Sequence, residues 1–438
     1  MKRLFAAVLT AAVPLTAAPF ARADDSQRSQ LTELERKVDA LTQEIETLKL
    51  GDAAEAPAPS SQPGFGPSAS KIYGVRPDKI SFGGYGEFVY LAPSRSRQNG
   101  DASGLKKTFD LRRFVLYTGY KFNDWILFNS EFEVEHAGTG QADENRGEIG
   151  VEQAYIEFRP WKEFGARVGH VIVPLGLVNE VHEPTAFHGV NRPGVETVII
   201  PSTWHENGAG VFGEWGPVSY RTYALAALSA AKTAAPASDG FTAANGLRGS
   251  STEGANSPAD DLAWASRVDW AAAPGVKAGA GLYLGRADRG NSSASVPVTL
   301  WEAHAEAQWR GASVRGLYAE GTIGNAANLD VAQGFAGNQS IGRRLFGGYA
   351  EAAYDVLTLV PNPKGQSLAP FFRYERYDTQ WRVPAGDAKD PANSRVEYTL
   401  GLTYKPIPQV VLKLDQQWKL NQAHTGVNQW NLGVGYIF

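Results

Sequence analysis

Residues 430–438 alternate with period two and without a break. Trp430, Leu432, Val434, Tyr436 and Phe438 fall on one face, and Asn431, Gly433, Gly435 and Ile437 on the other. A strand with five large apolar side chains opposite mostly small or polar ones suits a wall between hydrocarbon and water. The same division recurs upstream. Phe128, Phe132 and Val134 oppose Asn129, Glu131, Glu133 and Glu135; Trp301, Ala303, Ala305, Ala307 and Trp309 oppose Glu302, His304, Glu306 and Gln308; Leu412, Leu414, Trp418 and Leu420 oppose Lys413, Asp415, Gln417 and Lys419. Neither a soluble core nor a lipid face tolerates such rows of polar side chains, whereas an aqueous lumen does.

The pattern predicts an all-β fold, a transmembrane antiparallel barrel of about sixteen strands over residues 79–438. Gaps between strands are alternately long and short. The short turns are expected at 121–124, 160–163, 216–217, 272–275, 310–311 and 405–409, with a longer one near 356–366. An even count brings both ends of a barrel to one side of the membrane. Composition agrees: 47 Gly, many aromatics, a single Met and no Cys. No internal run of 18 apolar residues exists, so a helical span is excluded, but a barrel needs only alternate residues to face lipid. The lack of Cys removes disulfides, Cys-ligated zinc and thiol nucleophiles.

Ahead of the barrel, residues 1–23 read as a secretory signal peptide. Lys2 and Arg3 precede an apolar stretch that ends in Ala21-Arg22-Ala23. Losing Lys2, Arg3 and Arg22 from 42 basic residues leaves 39 against 46 acidic, a balance that speaks against nucleic-acid binding. Residues 24–50 hold Leu31, Leu34, Val38, Leu41, Ile45 and Leu48 at alternate spacings of three and four, a coiled-coil seam of about three heptads. A lone helix of this length is marginal in water, so the seam implies an oligomer. β-Branched residues at two a positions with Leu at d favour a dimer by the core rule. Residues 51–78, with Pro57, Pro59, Pro63 and Pro67, read as an extended linker.

The strand ending at Phe438 resembles the terminal strand of Gram-negative outer-membrane barrels, which the barrel-assembly machinery reads. Signal peptide, coiled coil, Pro-rich linker and sixteen-strand barrel, with the run Asp110-Leu111-Arg112-Arg113 before an alternating strand, together resemble the phosphate-selective porin family, porins O and P. The resemblance implies an outer-membrane porin, a homotrimer of independent pores set in lipid and lipopolysaccharide, with its coiled coil in the periplasm. Each pore would pass small hydrophilic solutes or ions by diffusion, inorganic anions such as phosphate among them, and be narrowed by the third long connection folded inward.

That connection, 174–207, is too long to be a plain turn and carries Phe187, Val198, Ile199, Ile200 and Trp204, which need burial. Its charged residues include Glu180, Glu183, Arg192, Glu196 and Glu206, expected at the constriction and there biased toward cations, with Arg192 best placed to hold an anionic group. Candidate wall residues are Glu131, Glu133, Arg167, Arg267, Arg373 and Lys413, a mixture of signs that does not by itself favour anions. Three His lie on the connection, but their spacings match no closed ligand set, so no metal and no cofactor are expected. No nucleophile and base stand out as a pair, which argues against an enzyme. The alternative is a structural or adhesive barrel joined to a periplasmic partner by its coiled coil.

Overall fold

The structure, a computed structural model, describes residue 37 and residues 62–137, 147–234, 237–288, 295–362 and 364–438. The expected signal peptide, and all of the expected coiled coil but Lys37, lie outside the described residues.

Sixteen strands form a closed antiparallel barrel. They are β1 (Lys79–Pro93), β2 (Thr108–Lys121), β3 (Ile126–Glu135), β4 (Ile149–Phe158), β5 (Gly165–Ile172), β6 (His205–Trp215), β7 (Val218–Ala226) and β8 (Leu262–Ala273). They continue with β9 (Val276–Arg286), β10 (Pro297–Trp309), β11 (Ala312–Ile323), β12 (Arg344–Tyr354), β13 (Ser367–Arg382), β14 (Ser394–Ile407), β15 (Val410–Asn421) and β16 (Gln429–Ile437). Each strand bonds to its sequence neighbours, and β16 closes on β1, with Tyr85 opposite Ile437 and Leu91 opposite Asn431. Beyond β16, Phe438 exchanges backbone hydrogen bonds with Gly84 at 2.9 and 3.0 Å. Closure leaves no unpaired edge, which a sheet in hydrocarbon requires.

The alternation in the sequence becomes two surfaces. Trp301, Trp309, Trp418, Trp430, Leu412, Leu414, Leu432 and Val434 are exposed on the outer wall, while Asn129, Glu131, Glu133, Glu302, His304, Lys413, Asp415 and Asn431 are buried within. Register shifts interrupt this regularity at several places, and two of them set charged residues. Glu87 pairs with Arg113 and Phe88 with Leu111, leaving Arg112 without a partner position on β1. Glu131 pairs with Gln153 and Phe132 with Val151, leaving Glu152 without one on β3. A bulge turns two successive residues toward the same face; Glu152 and Gln153 are accordingly both buried, and Arg112 and Arg113 both carry charge into the barrel.

The part of the expected linker that is described, residues 62–78, folds into the short-turn end of the barrel. Phe65, Ser68, Ala69, Ser70 and Ile72 are buried, and a single helical turn, α1 (Lys71–Gly74), carries Ile72 inward. Phe65 packs its ring 4.9 Å from the Arg167 guanidinium. Gly66 is needed for this approach, because a Cβ there would stand 2.4 Å from the Glu183 carboxylate.

At the opposite end the connection between β7 and β8 reaches across the mouth. Thr379 of β13 donates its hydroxyl to Ala243 O at 2.6 Å, and Arg395 of β14 donates to Ala244 O at 3.1 Å. Another connection carries a two-turn helix, α2 (Ala326–Gln333), before β12.

Candidate constriction site

The connection between β5 and β6, residues 173–204, crosses the interior. Asn179 fixes its neck: the side-chain amide donates to Val173 O at 2.8 Å and the side-chain carbonyl accepts from Trp204 N at 2.7 Å. The apolar residues that need burial obtain it, since Phe187, Val198, Ile199, Ile200 and Trp204 are all buried, with the Trp204 ring 4.8 Å from that of Tyr283. Val195–Ile199 makes one wide helical turn, closed by Ile200 N donating to Val195 O at 3.0 Å.

Bonds to strands on every side show how far the connection extends. Arg112 of β2 donates to Val190 O at 3.0 Å and to Asn191 Oδ1 at 2.7 Å. Val190 N donates to Asp415 of β15 at 2.6 Å, and Val195 N to Glu375 of β13 at 3.2 Å. His182 meets Glu131 of β3 at 3.0 Å, and Tyr349 of β12 donates to Glu196 at 2.5 Å. Gly435 on the inner face of β16 makes room for this crossing, because a Cβ there would lie 2.5 Å from Pro184. The smallness of that face has a packing cause.

The acids of the connection are engaged. Glu180 accepts from Arg221 of β7 at 2.8 Å and lies 3.7 Å from Arg267 of β8. Glu183 accepts the backbone N–H groups of Ser68 and Ala69. Glu196 holds Val178 N at 2.6 Å as well as Tyr349. Glu206 belongs to β6 and not to the connection, and the Trp204 indole N–H donates to it at 3.4 Å. Arg192 gives Nη1 to Ser202 at 2.7 Å and Thr203 at 3.2 Å, while its buried Nη2 has no hydrogen-bond partner among the described residues.

The six expected wall residues all point inward, and four belong to wall ion pairs. Arg113, which the alternation missed, sits 3.1 Å from Glu87 and 3.5 Å from Glu133. Arg167 pairs with Glu157 at 2.8 Å and donates to the Tyr223 hydroxyl. Arg267 pairs with Asp269 at 2.9 Å and donates to the carbonyl of Gly176. Arg373 is shared by Glu351 at 3.0 Å and Glu375 at 2.9 Å, and also donates to His188 O and Asn191 O. Glu131 accepts from Gln153 at 2.8 Å. Lys413 differs: its ammonium stands 3.7 Å over the Phe187 ring and has no hydrogen-bond partner among the described residues. Sequence reasoning missed Arg221 and Arg315 as well, whose partners Glu180 and Glu351 are far away in the chain.

A closed sixteen-strand antiparallel barrel with a charged interior and a connection folded across it defines a porin-like β-barrel fold. The chain is similar in fold to OmpF of Salmonella typhi in complex with daunomycin, with a TM-score of 0.54, 12% identity, and 82% of this chain and 98% of that one covered. It is likewise similar to a loop L8 deletion mutant of OmpT, an outer membrane protein of Vibrio cholerae, with a TM-score of 0.50, 12% identity and 82% and 99% covered. No protein-family model matches the chain. The chain belongs to the same family as an uncharacterized protein of Aquifex aeolicus (strain VF5), to which it is 34% identical over 358 residues, covering 80% of this chain and 78% of that protein.

Proposed function

We propose that the chain is an outer-membrane porin, a non-enzymatic, water-filled channel through which small hydrophilic solutes or ions diffuse. One observation carries the reading: a ring of inward charges, paired along the wall from Glu87–Arg113 to Glu351–Arg373, surrounds a connection that crosses the lumen. Inorganic anions are included among the candidate solutes. Glu180, Glu183 and Glu196 are occupied by donors, whereas Arg192 Nη2 and Lys413 Nζ are donors without hydrogen-bond partners among the described residues. A narrow site with spare cationic donors holds anions longer than cations, so the balance shifts from the cation bias that a count of acids suggests. Phosphate is one solute of that class. A homotrimer, assembly by the barrel-assembly machinery, and a periplasmic coiled coil linked to the short-turn end complete the reading.

The interior is also crossed by residues 62–78 and overlaid by the β7–β8 connection, which favours a second reading, a structural or adhesive barrel that conducts poorly. Planar-bilayer recording of the purified protein separates the two. Stepwise conductance with an anion-directed reversal potential that moves toward cations in Arg192→Gln supports the porin. Insertion without conductance supports the structural barrel and overturns the first reading.

A further inference from the structure

Glu131 on β3, Glu152 at the β4 bulge and His182 on the β5–β6 connection meet inside the barrel, all three buried. His182 Nδ1 lies 2.7 Å from the carbonyl oxygen of Asn179. That oxygen can only accept, so Nδ1 carries a proton and Nε2 is the ring atom turned toward the carboxylates. Nε2 then faces Glu131 Oε1 at 3.0 Å and Glu152 Oε2 at 3.3 Å, and the three ligand atoms lie within 4.8 Å of one another.

Two buried carboxylates converging on one imidazole nitrogen repel unless a positive charge, a second ring proton or a bound cation, sits among them. A second proton on His182 would serve one carboxylate, since Nε2–H is a single donor, and the buried Glu152 Oε2 has no hydrogen-bond partner among the described residues. The hydroxyl of Tyr85, whose buried ring is 5.9 Å from that of His182, has none either. Charge points the same way: Glu133 and Glu152 gather near the Arg113 guanidinium, which Glu87 also uses.

We propose that Glu131, Glu152 and His182 form a binding site for a divalent transition-metal cation of the zinc type. Tetrahedral zinc with bonds of about 2.0–2.1 Å separates its ligand atoms by about 3.3 Å, close to the two distances found. One imidazole and two carboxylates suit that class of ion and leave a fourth position for water. The supporting bonds are those that orient metal ligands: Asn179 O holds the far side of the imidazole and Gln153 holds the second oxygen of Glu131 at 2.8 Å. Because two ligands stand on the wall and the third on the connection, three residues from the Asn179 neck, the ion would pin the connection against β3 and β4.

The test uses the full chain in detergent, stripped with EDTA and titrated with Zn2+ alone by calorimetry, with a parallel sample folded in the presence of Zn2+ and its metal content measured. One zinc per chain is expected, with affinity at least about tenfold weaker in His182→Ala and in the isosteric Glu152→Gln, and retained in His188→Ala on the same connection. Heat-modifiable migration in gels reports folding, and Glu152→Gln carries the test if His182→Ala does not fold. Absence of stoichiometric zinc in both preparations overturns the proposal. So does a folded His182→Ala that binds like the parent, or zinc lost in His205→Ala and kept in His182→Ala.

Discussion

The carboxylate of Glu183 accepts the backbone N–H of Ser68 at 2.9 Å across 115 positions of sequence, and the same oxygen accepts Ala69 N at 2.9 Å. The segment that leads into the barrel and the connection that crosses it therefore hold each other. Hydrogen bonds to a charged group contribute about 1.5–3 kcal/mol each, so Glu183→Ala should open residues 62–78 locally. The chain has no native Cys, and a single Cys placed at Ala69 gives a clean probe. Maleimide labelling there is expected to accelerate roughly tenfold or more when Glu183 is Ala; unchanged rates would show that the contact does not retain the segment.

Arg373 is fully buried and shared by Glu351 and Glu375. Removing one member of such a set leaves charge stranded, at a cost of about 3–5 kcal/mol. Arg373→Met should lower barrel stability by that order in urea unfolding from vesicles. Adding Glu375→Gln alone should restore much of the loss, because Glu351 keeps Arg315 at 2.7 Å. A single variant as stable as the parent would mean that water reaches the cluster.

The Arg112 bulge gives a prediction about register. Deleting Arg112 brings Glu87–Arg113 and Phe88–Leu111 into regular succession, whereas deleting Tyr117 moves the rest of β2 to the wrong face. Only the first deletion is expected to yield a heat-modifiable barrel in membranes. Equal assembly of both would remove the bulge as the cause of Arg112's orientation.

Charge at the neck can be altered without changing shape. Glu180→Gln with Glu183→Gln removes two negative charges beside Arg221, Arg267 and the Ser68 backbone. The reversal potential should move toward anions relative to the parent. No movement would place selectivity on the wall, where Arg113, Arg315 and Lys413 stand.

Much of the fold was legible because period two is a local property. The faces of Trp301 to Trp309 and Leu412 to Leu420 could be read residue by residue, and the sixteen strands followed from them. Burial of Phe187, Ile199 and Trp204 was legible for a similar reason, since apolar side chains in a connection have few other places to go. Arg112 and Glu152 were not legible, because a bulge is defined by what the neighbouring strand does. The acids of the connection were seen, but their state was not: Glu180 finds Arg221 41 positions later and Glu196 finds Tyr349 153 positions later. The composition of residues 62–78 suggested a linker because Pro and Gly also build tight internal segments, and only the presence of Glu183 against Gly66 distinguishes the two.

The single hydroxyl proton of Ser68 lies between the carbonyl oxygens of Gly84, at 3.1 Å, and Phe438, at 2.8 Å, the nearer acceptor. Those two oxygens come side by side only when β1 has joined β16. The seat for an early segment is thus completed only by a residue 370 positions on. Residues 62–78 emerge long before they have anywhere to dock, and their docking reports on the seam itself. A maleimide-protected Cys at Ala69 would serve as a clock for barrel closure, marking molecules whose two ends have met.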